Sequence, residues 1–159
     1  MKKIPIILLL VSNITLSQIH FFEENRTSIH IITDNVIFQK RTFYAGLEFQ
    51  AEFSNGIYLR PQIHYAALTD GYIETSSGMG LNLSLNRWNN INAYSGIKLG
   101  VINRARTYPI FGIEAGIEVN ITNTIAIGLR ASYDSRGDAS FYDGDKWRYN
   151  SQGYLKLIL

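Results

Sequence analysis

The chain has 159 residues, contains no cysteine, and carries a formal net charge of +2 at pH 7. Lys2 and Lys3 supply that excess, and the rest of the sequence holds 13 basic and 13 acidic residues. The lack of cysteine excludes disulfide bonds, thiol chemistry, cysteine-bound zinc and a lipid-modified N-terminal cysteine. The balanced charge, with no cluster of lysine or arginine, argues against binding to nucleic acid.

The N-terminus has the pattern of a secretory signal peptide. Two lysines precede an apolar run over residues 4–11, and small or polar residues then lead to Ser17. We therefore expect residues 1–17 to be removed during export, with cleavage before Gln18. The apolar run is too short for a transmembrane helix, which needs about 20 apolar residues. Residues 18–159 are expected to form one domain.

Alternation of apolar and polar residues predicts eight strands in chain order. The clearest run covers residues 43–53, where every odd position is apolar and the even positions are tyrosine, glycine, glutamate or glutamine. The first predicted strand alternates over only part of its length. The predicted strands cover residues 27–37, 42–53, 57–67, 77–86, 91–102, 109–119, 124–134 and 148–159.

The connections between these strands alternate in length. Links over residues 54–56, 87–90 and 120–123 are short and rich in turn residues, whereas links over 68–76, 103–108 and 135–147 are longer on average. Strands of about ten residues, tilted about 40°, rise roughly 25 Å, which matches the apolar band of an outer-membrane barrel. The sequence thus predicts an all-β protein, an eight-stranded antiparallel up-and-down transmembrane β-barrel with short periplasmic turns and longer extracellular loops.

Glycine indicates which face of the predicted strands lies inside the barrel. Seven glycines share the polar face, where they would make room for long side chains in a narrow lumen. The apolar face is therefore expected to contact lipid. The opposite arrangement, with the apolar face inside, would give a soluble lipocalin-like carrier of an apolar ligand, and this stays open as an alternative. The seven glycines are Gly46, Gly80, Gly96, Gly100, Gly112, Gly116 and Gly128.

The predicted lumen contains charged groups of both signs in nearly equal number. Eight strands leave a lumen just wide enough to be filled by side chains, and buried charges persist when they are paired. We therefore expect an interior charge network and no open pore, with histidine 64 as a network member. The residues of this network are Glu48, Glu52, Arg60, His64, Lys98, Glu114, Glu118, Arg130 and Lys156.

Aromatic residues are expected at both rims of the apolar face, as in interfacial girdles. Phe43, Tyr65, Tyr133 and Tyr149 would lie at the loop side, and Phe53 and Trp88 at the turn side. Pro61 is unusual in this pattern because it lies within the third predicted strand and removes a ladder hydrogen bond. We expect a β-bulge at Pro61.

The last six residues, Tyr154 to Leu159, alternate apolar side chains up to the carboxyl end. They resemble the C-terminal strand that small eight-stranded outer-membrane β-barrel proteins of Gram-negative bacteria present to the barrel-assembly machinery. Many members end in phenylalanine or tryptophan, whereas this chain ends in leucine. The resemblance covers residues 27–159. It implies location in the cell outer membrane, contact with outer-membrane lipid, and the barrel-assembly machinery as a partner during biogenesis.

Members of that family act as structural anchors, adhesion or complement-resistance factors, small-solute pores or, in one branch, lipid-modifying enzymes. Ser84 and His64 are both expected to point inward, but no Gly-x-Ser-x-Gly motif, phosphate loop, dinucleotide fingerprint or zinc signature is present. The segment over residues 134–147, which includes the longest predicted loop, contains Arg136, Gly137 and Asp138, a tripeptide known as an integrin ligand. It also contains four aspartates whose spacing fits no EF-hand.

We expect a non-enzymatic barrel protein, structural or surface-interacting, without cofactor or bound metal. A barrel-embedded lipid-modifying enzyme remains an alternative. The sequence identifies no extracellular partner.

Overall fold

A computed structural model describes residues 25–34, 44–66, 71–86, 90–138 and 146–159, which form a closed barrel of eight strands. All neighbouring strands are antiparallel, and the first strand pairs with the last. The predicted signal peptide, residues 1–17, lies outside the described residues. No helix in the described part is long and apolar enough to cross a membrane. The strands are β1 (Arg26–Asp34), β2 (Tyr44–Glu52), β3 (Ile57–Ala66), β4 (Tyr72–Ser84), β5 (Ile91–Asn103), β6 (Thr107–Asn120), β7 (Ile125–Arg136) and β8 (Trp147–Ile158).

The strand bounds differ most from the prediction at the loop-side end of β4. This strand begins at Tyr72, five residues before the predicted start at residue 77. A smaller difference occurs in β6, which begins at Thr107 rather than at residue 109. Glu74 pairs with His64 of β3 and with Ile102 of β5, so the ladder continues there on both sides. The sequence pattern fades earlier because the outward residue Thr75 is polar, although the backbone pairing persists.

The strands point their apolar side chains away from the barrel axis and their charged side chains toward it. Leu129 and Ile113 are 72% and 62% exposed, whereas Glu48 and Arg60 are each 1% exposed. A lipocalin-like carrier needs the opposite arrangement, with an apolar interior and a polar surface. That alternative is therefore wrong, and the parity predicted from glycine is confirmed.

Some inward glycines lie beneath large side chains of neighbouring strands. Gly46 pairs with His64, and a β-carbon at residue 46 would lie 2.1 Å from the Cδ2 atom of His64. Gly128 pairs with Tyr154 in the same manner, at 2.2 Å from its Cζ atom. Long side chains can therefore lie flat against the wall of a narrow barrel because the wall has no side chain at those positions.

Pro61 interrupts the ladder between β2 and β3 without shifting it. On this side the pairing passes from Glu48 with Gln62 to Ala51 with Leu59, and the same register holds before and after the gap. On the other side Pro61 pairs with Ser77 in an unbroken register. The predicted bulge is therefore wrong, because no extra residue is inserted. The missing amide donor is accommodated by a local loss of pairing with β2.

Candidate functional site

The structure places all nine residues of the predicted charge network inside the barrel, each at most 4% exposed. It adds Glu74, Asp134 and His30, which are 3%, 3% and 0% exposed. Glu74 was missed because it fell in a predicted loop, and Asp134 because it ends a predicted strand. His30 is near the N-terminus, in the first predicted strand, and was not included in the predicted network. All three occupy even positions, as the other residues of the network do. The two-residue period therefore predicts that their side chains point inward.

Two arginines and two glutamates form a central cluster in which each arginine contacts both carboxylates. Arg60 donates to Glu114, and its Nε atom lies 3.4 Å from the Oε2 atom of Glu48. Arg130 donates to Glu48, and its Nη1 atom lies 3.7 Å from the Oε2 atom of Glu114. The four groups come from β2, β3, β6 and β7, so the cluster links opposite walls of the barrel.

Two histidines extend the central cluster. The Nδ1 atom of His30 lies 3.2 Å from Glu48, and the Nε2 atom of His64 lies 3.4 Å from the same carboxylate. The other ring nitrogen of His64 is 3.9 Å from Glu74. His64 therefore bridges the central cluster and the charges nearer the loops, as expected for a network member.

Each buried lysine lies between two carboxylates. Toward the loops, Lys98 donates to Glu74 at 3.1 Å and to Asp134 at 2.8 Å. Toward the turns, Lys156 donates at 2.8 Å to Glu52 and at 3.0 Å to Glu118. Uncharged side chains also donate hydrogen bonds to the carboxylates of both clusters.

Because Glu74 and Asp134 join the network, six carboxylates contact four lysine or arginine side chains in these clusters. Arg104 and Arg136, which contact Asp138 nearer the loops, bring the described ion pairs to seven carboxylates and six lysine or arginine side chains, a near balance. Hydrogen bonds from neutral side chains, such as Asn82 to Glu52 at 2.7 Å, supply further donors to the carboxylates.

A layer of aromatic rings joins the central and turn-side clusters. The guanidinium carbon of Arg60 lies 5.1 Å from the ring centroids of both Tyr58 and Tyr94, a distance typical of cation–π contacts. Tyr58 donates its hydroxyl to Glu114 at 2.7 Å. Tyr154 stacks on His30 with ring centroids 5.0 Å apart, and its hydroxyl donates to Glu118 at 3.2 Å. These rings fill space and also satisfy carboxylates.

The candidate catalytic pair suggested by the sequence does not form. Ser84 donates to the carbonyl oxygen of Asn86 at 2.8 Å, at the turn-side end of β4, whereas His64 lies opposite Glu74 near the loop-side end. Among the described residues, no group of three or more histidine, cysteine, aspartate or glutamate side chains is arranged to hold a metal ion.

A different set of contacts, not anticipated from the sequence, has the order of a catalytic triad. The Oγ atom of Ser28 lies 3.1 Å from the Nε2 atom of His30, whose other ring nitrogen contacts Glu48. All three side chains are at most 1% exposed, and Glu48 also contacts Arg60 and Arg130. The arrangement therefore serves to satisfy buried polar groups within the charge network.

The integrin-type tripeptide is folded onto itself. Arg136 donates through two nitrogens to the two carboxylate oxygens of Asp138, both at 3.1 Å, and Asp138 is 1% exposed. The amide of Gly137 donates to the carbonyl oxygen of Pro109 at 2.9 Å. A receptor would have to break these contacts, so the structure does not support an integrin ligand here.

No family model matches the chain, and no curated protein matches it. The chain is similar to the Yersinia pestis outer membrane protein Ail, whose backbone structure was obtained in a phospholipid bilayer nanodisc. The TM-score is 0.51 at 15% identity, over 86% of this chain and 100% of that chain. A structure titled as a de novo designed transmembrane β-barrel aligns with a TM-score of 0.49 at 9% identity, over 87% of this chain and 97% of that chain.

The likeness to Ail shows a shared fold. The predicted fold is thereby confirmed: the chain has the eight-stranded antiparallel up-and-down architecture of small outer-membrane β-barrels.

Proposed function

We propose that this chain is an integral protein of the Gram-negative outer membrane, with a non-enzymatic role that is structural or surface-interacting. The observation that carries the proposal is the apolar band around the barrel. Side chains such as Leu47, Leu99 and Ile117 are 55%, 55% and 56% exposed. Monomeric soluble proteins rarely expose contiguous apolar patches larger than a few hundred Å². Lipid is the environment in which such a band is stable.

Aromatic side chains at the loop-side rim support the same proposal. Trp147 stacks on Tyr133 with centroids 5.0 Å apart and meets Phe111 edge-on at 5.4 Å, and all three are exposed on the outer surface. Such rings are enriched at the level of lipid headgroups. Of the predicted girdle, Tyr65 and Tyr149 are exposed as well, whereas Phe43 and Trp88 lie outside the described residues.

A role without catalysis is supported by the state of the interior polar groups. Most charged side chains of the lumen are buried in ion pairs with one another, as with Glu48, Arg60 and Arg130, and pairing of buried charges gives them a structural role. Interaction with an extracellular partner would then fall to the loops, since loops on a rigid scaffold usually carry such functions.

Fractionation of a Gram-negative host that expresses the full chain tests this proposal. We expect the protein in the outer-membrane fraction, resistant to alkaline extraction, with an N-terminus at Gln18 by mass spectrometry. A variant that lacks residues 2–17 should remain in the cytoplasm and serves as the control for export. Recovery of the full chain as a soluble periplasmic or secreted protein, without detergent, would contradict the membrane assignment.

A further inference from the structure

An apolar cluster lies at the loop-side end of the lumen, along the wall formed by β3 to β6. Ala66, Tyr72, Ile102 and Ile110 form one buried cluster and are 0%, 7%, 0% and 2% exposed. They are inward residues of β3, β4, β5 and β6, and Ala66 pairs directly with Tyr72. We call these four residues the septum. Along β3 to β6, the septum lies between the inward charged residues, such as Glu74 and Lys98, and the loop-side ends of these strands.

Three charged side chains lie next to the septum at its loop side: Arg104 and Asp138 in two connections, and Arg136 at the end of β7. Arg136 binds both oxygens of Asp138 and donates to the hydroxyl of Tyr72 at 3.3 Å. The Nε atom of Arg104 lies 3.1 Å from the Oδ2 atom of Asp138. The guanidinium carbons of Arg104 and Arg136 lie 4.8 and 4.9 Å from the ring centroid of Tyr72. We call Arg104, Arg136 and Asp138 the clamp.

The clamp joins the ends of β5 and β7, which are not neighbours, and contacts the first residue of β4. Tyr72 begins β4, Arg104 follows β5, and Asp138 follows β7. A single carboxylate therefore fixes two arginines, and the two arginines fix the aromatic ring that closes the septum. Charged contacts of this kind are strong where water is excluded, and the side chains of Arg104 and Arg136 are only 13% and 14% exposed.

The region directly below the septum is polar. Glu74 is the next inward residue after Tyr72 along β4, and Ser76 follows, bonded to Gln62 at 2.7 Å and to Glu74 at 3.0 Å. The second buried cluster of the lumen, Ile32 with Tyr58, Tyr94 and Tyr154, differs from the septum because its hydroxyls donate to Glu114 and Glu118. Three of the four septum residues are aliphatic, and the hydroxyl of Tyr72 is bound to Arg136, so the septum has fewer polar groups than the second cluster. Hydrophobic constrictions exclude water.

We propose that the septum and the clamp form a closed gate at the loop-side mouth. The gate, rather than the charge clusters below it, keeps water and small solutes of the loop side out of the lumen. It opens when Asp138 releases the two arginines and Tyr72 turns away from Ile102 and Ile110. This inference deepens the proposed function of a filled barrel, and its assignment of the loop side to the cell exterior rests on that function.

Thiol labelling tests the gate, because the chain contains no cysteine and one introduced cysteine is therefore unique. Ser76→Cys places a reporter just below the septum. The purified barrel, folded in detergent micelles, is treated with a small cationic methanethiosulfonate, and mass spectrometry follows the labelling rate. The exposed turn residue Ser54, changed to cysteine, gives the unprotected rate. We expect Ser76→Cys to react far more slowly than Ser54→Cys.

Two further changes open the gate by different routes. Ile102→Ala thins the septum, and Asp138→Asn removes the charge of the clamp while it keeps the shape of the side chain. Each should raise the labelling rate of the residue 76 reporter about tenfold or more, the scale of a local opening. The matched control is Ile32→Ala. Ile32 is an inward isoleucine that is 1% exposed, nearly as buried as Ile102, and it belongs to the second buried cluster. It should leave the rate at residue 76 unchanged.

The outcomes separate the gate from general loosening of the barrel. Equal acceleration by Ile32→Ala and Ile102→Ala, or rapid labelling in the unaltered septum, would overturn the proposal. If Ile102→Ala does not fold, Ile102→Val makes the smaller change, and Ser132→Cys provides a second reporter that is 6% exposed. The labelling experiment uses folded protein in micelles. A result that overturns the gate therefore does not affect the membrane assignment, which fractionation tests separately.

Discussion

Gly128 and Tyr154 face each other across β7 and β8, and the tyrosine ring occupies the space that a β-carbon of residue 128 would need. One position along the same strand pair, Leu129 faces Gly153 on the outer surface, where a β-carbon would have its nearest neighbour at 3.9 Å. In this strand pair, the glycine on the inner face of the wall is therefore closely packed, whereas the glycine on the outer face has open space around it.

This contrast predicts the effect of adding one methyl group. Gly128→Ala should lower the free energy of unfolding by about 1–3 kcal/mol, the range for overpacking a filled core. Gly153→Ala should be neutral or stabilise by up to about 1 kcal/mol, because it restricts the unfolded chain without a clash. Urea titration of the barrel in micelles measures both. Equal loss of stability in the two variants would show that the tyrosine ring moves aside freely.

A charge on the lipid-facing surface should block assembly. Leu129 lies in the middle of β7 and is 72% exposed, so Leu129→Arg should cost about 2–4 kcal/mol at the centre of a bilayer. The fraction of protein with heat-modifiable mobility on gels after folding into liposomes measures assembly. Leu129→Val is the control and should fold as the parent does. Normal folding of the arginine variant would place this surface outside lipid.

Removal of one charged group from the central cluster should lower the stability of the barrel, because the charged groups of this cluster contact one another. Arg130 contacts Glu48 and Glu114 and donates to Gln152 at 2.9 Å. Arg130→Met should lower stability by about 3–5 kcal/mol where the site is dry, because it leaves the two buried carboxylates, Glu48 and Glu114, with a single arginine between them.

The paired variant tests the cause of that loss. Glu48→Gln added to Arg130→Met should recover part of the stability, since it removes the uncompensated charge. Strictly additive losses in this double-mutant cycle would show that the two groups do not interact across the lumen.

The unaltered barrel should not conduct ions. The middle of the lumen is occupied by two arginines and three tyrosine rings, which are Arg60, Arg130, Tyr58, Tyr94 and Tyr154. The proposed gate would also close the loop-side end. Planar bilayer recordings of purified protein should therefore show no stable steps. Reproducible, ion-selective steps would demonstrate an open path and would favour a small-solute pore.

The strands and their faces could be predicted from the sequence because a two-residue period maps directly onto an alternating structure. The partners of the buried charges could not. Arg60 of β3 reaches Glu114 of β6, and Arg130 of β7 reaches Glu48 of β2, so these contacts join strands that are not neighbours. Such contacts depend on barrel width and strand stagger, which no local pattern encodes.

The ends of the strands were also beyond the pattern. The clamp of Arg104, Arg136 and Asp138 lies where the outward residues become polar, so alternation no longer marks which side chains point inward. The tripeptide that suggested a ligand in the sequence is, in the structure, a contact between the two charges of that tripeptide.

The pairing of β1 with β8 joins residues from the two ends of the described chain, such as His30 with Lys156. A chain without its last strand would therefore not form a smaller barrel. It would be an open sheet with two unpaired edges, and Glu52 and Glu118 would lose the lysine between them. Lys156 thus couples closure of the ring between β1 and β8 to neutralisation of the two turn-side carboxylates.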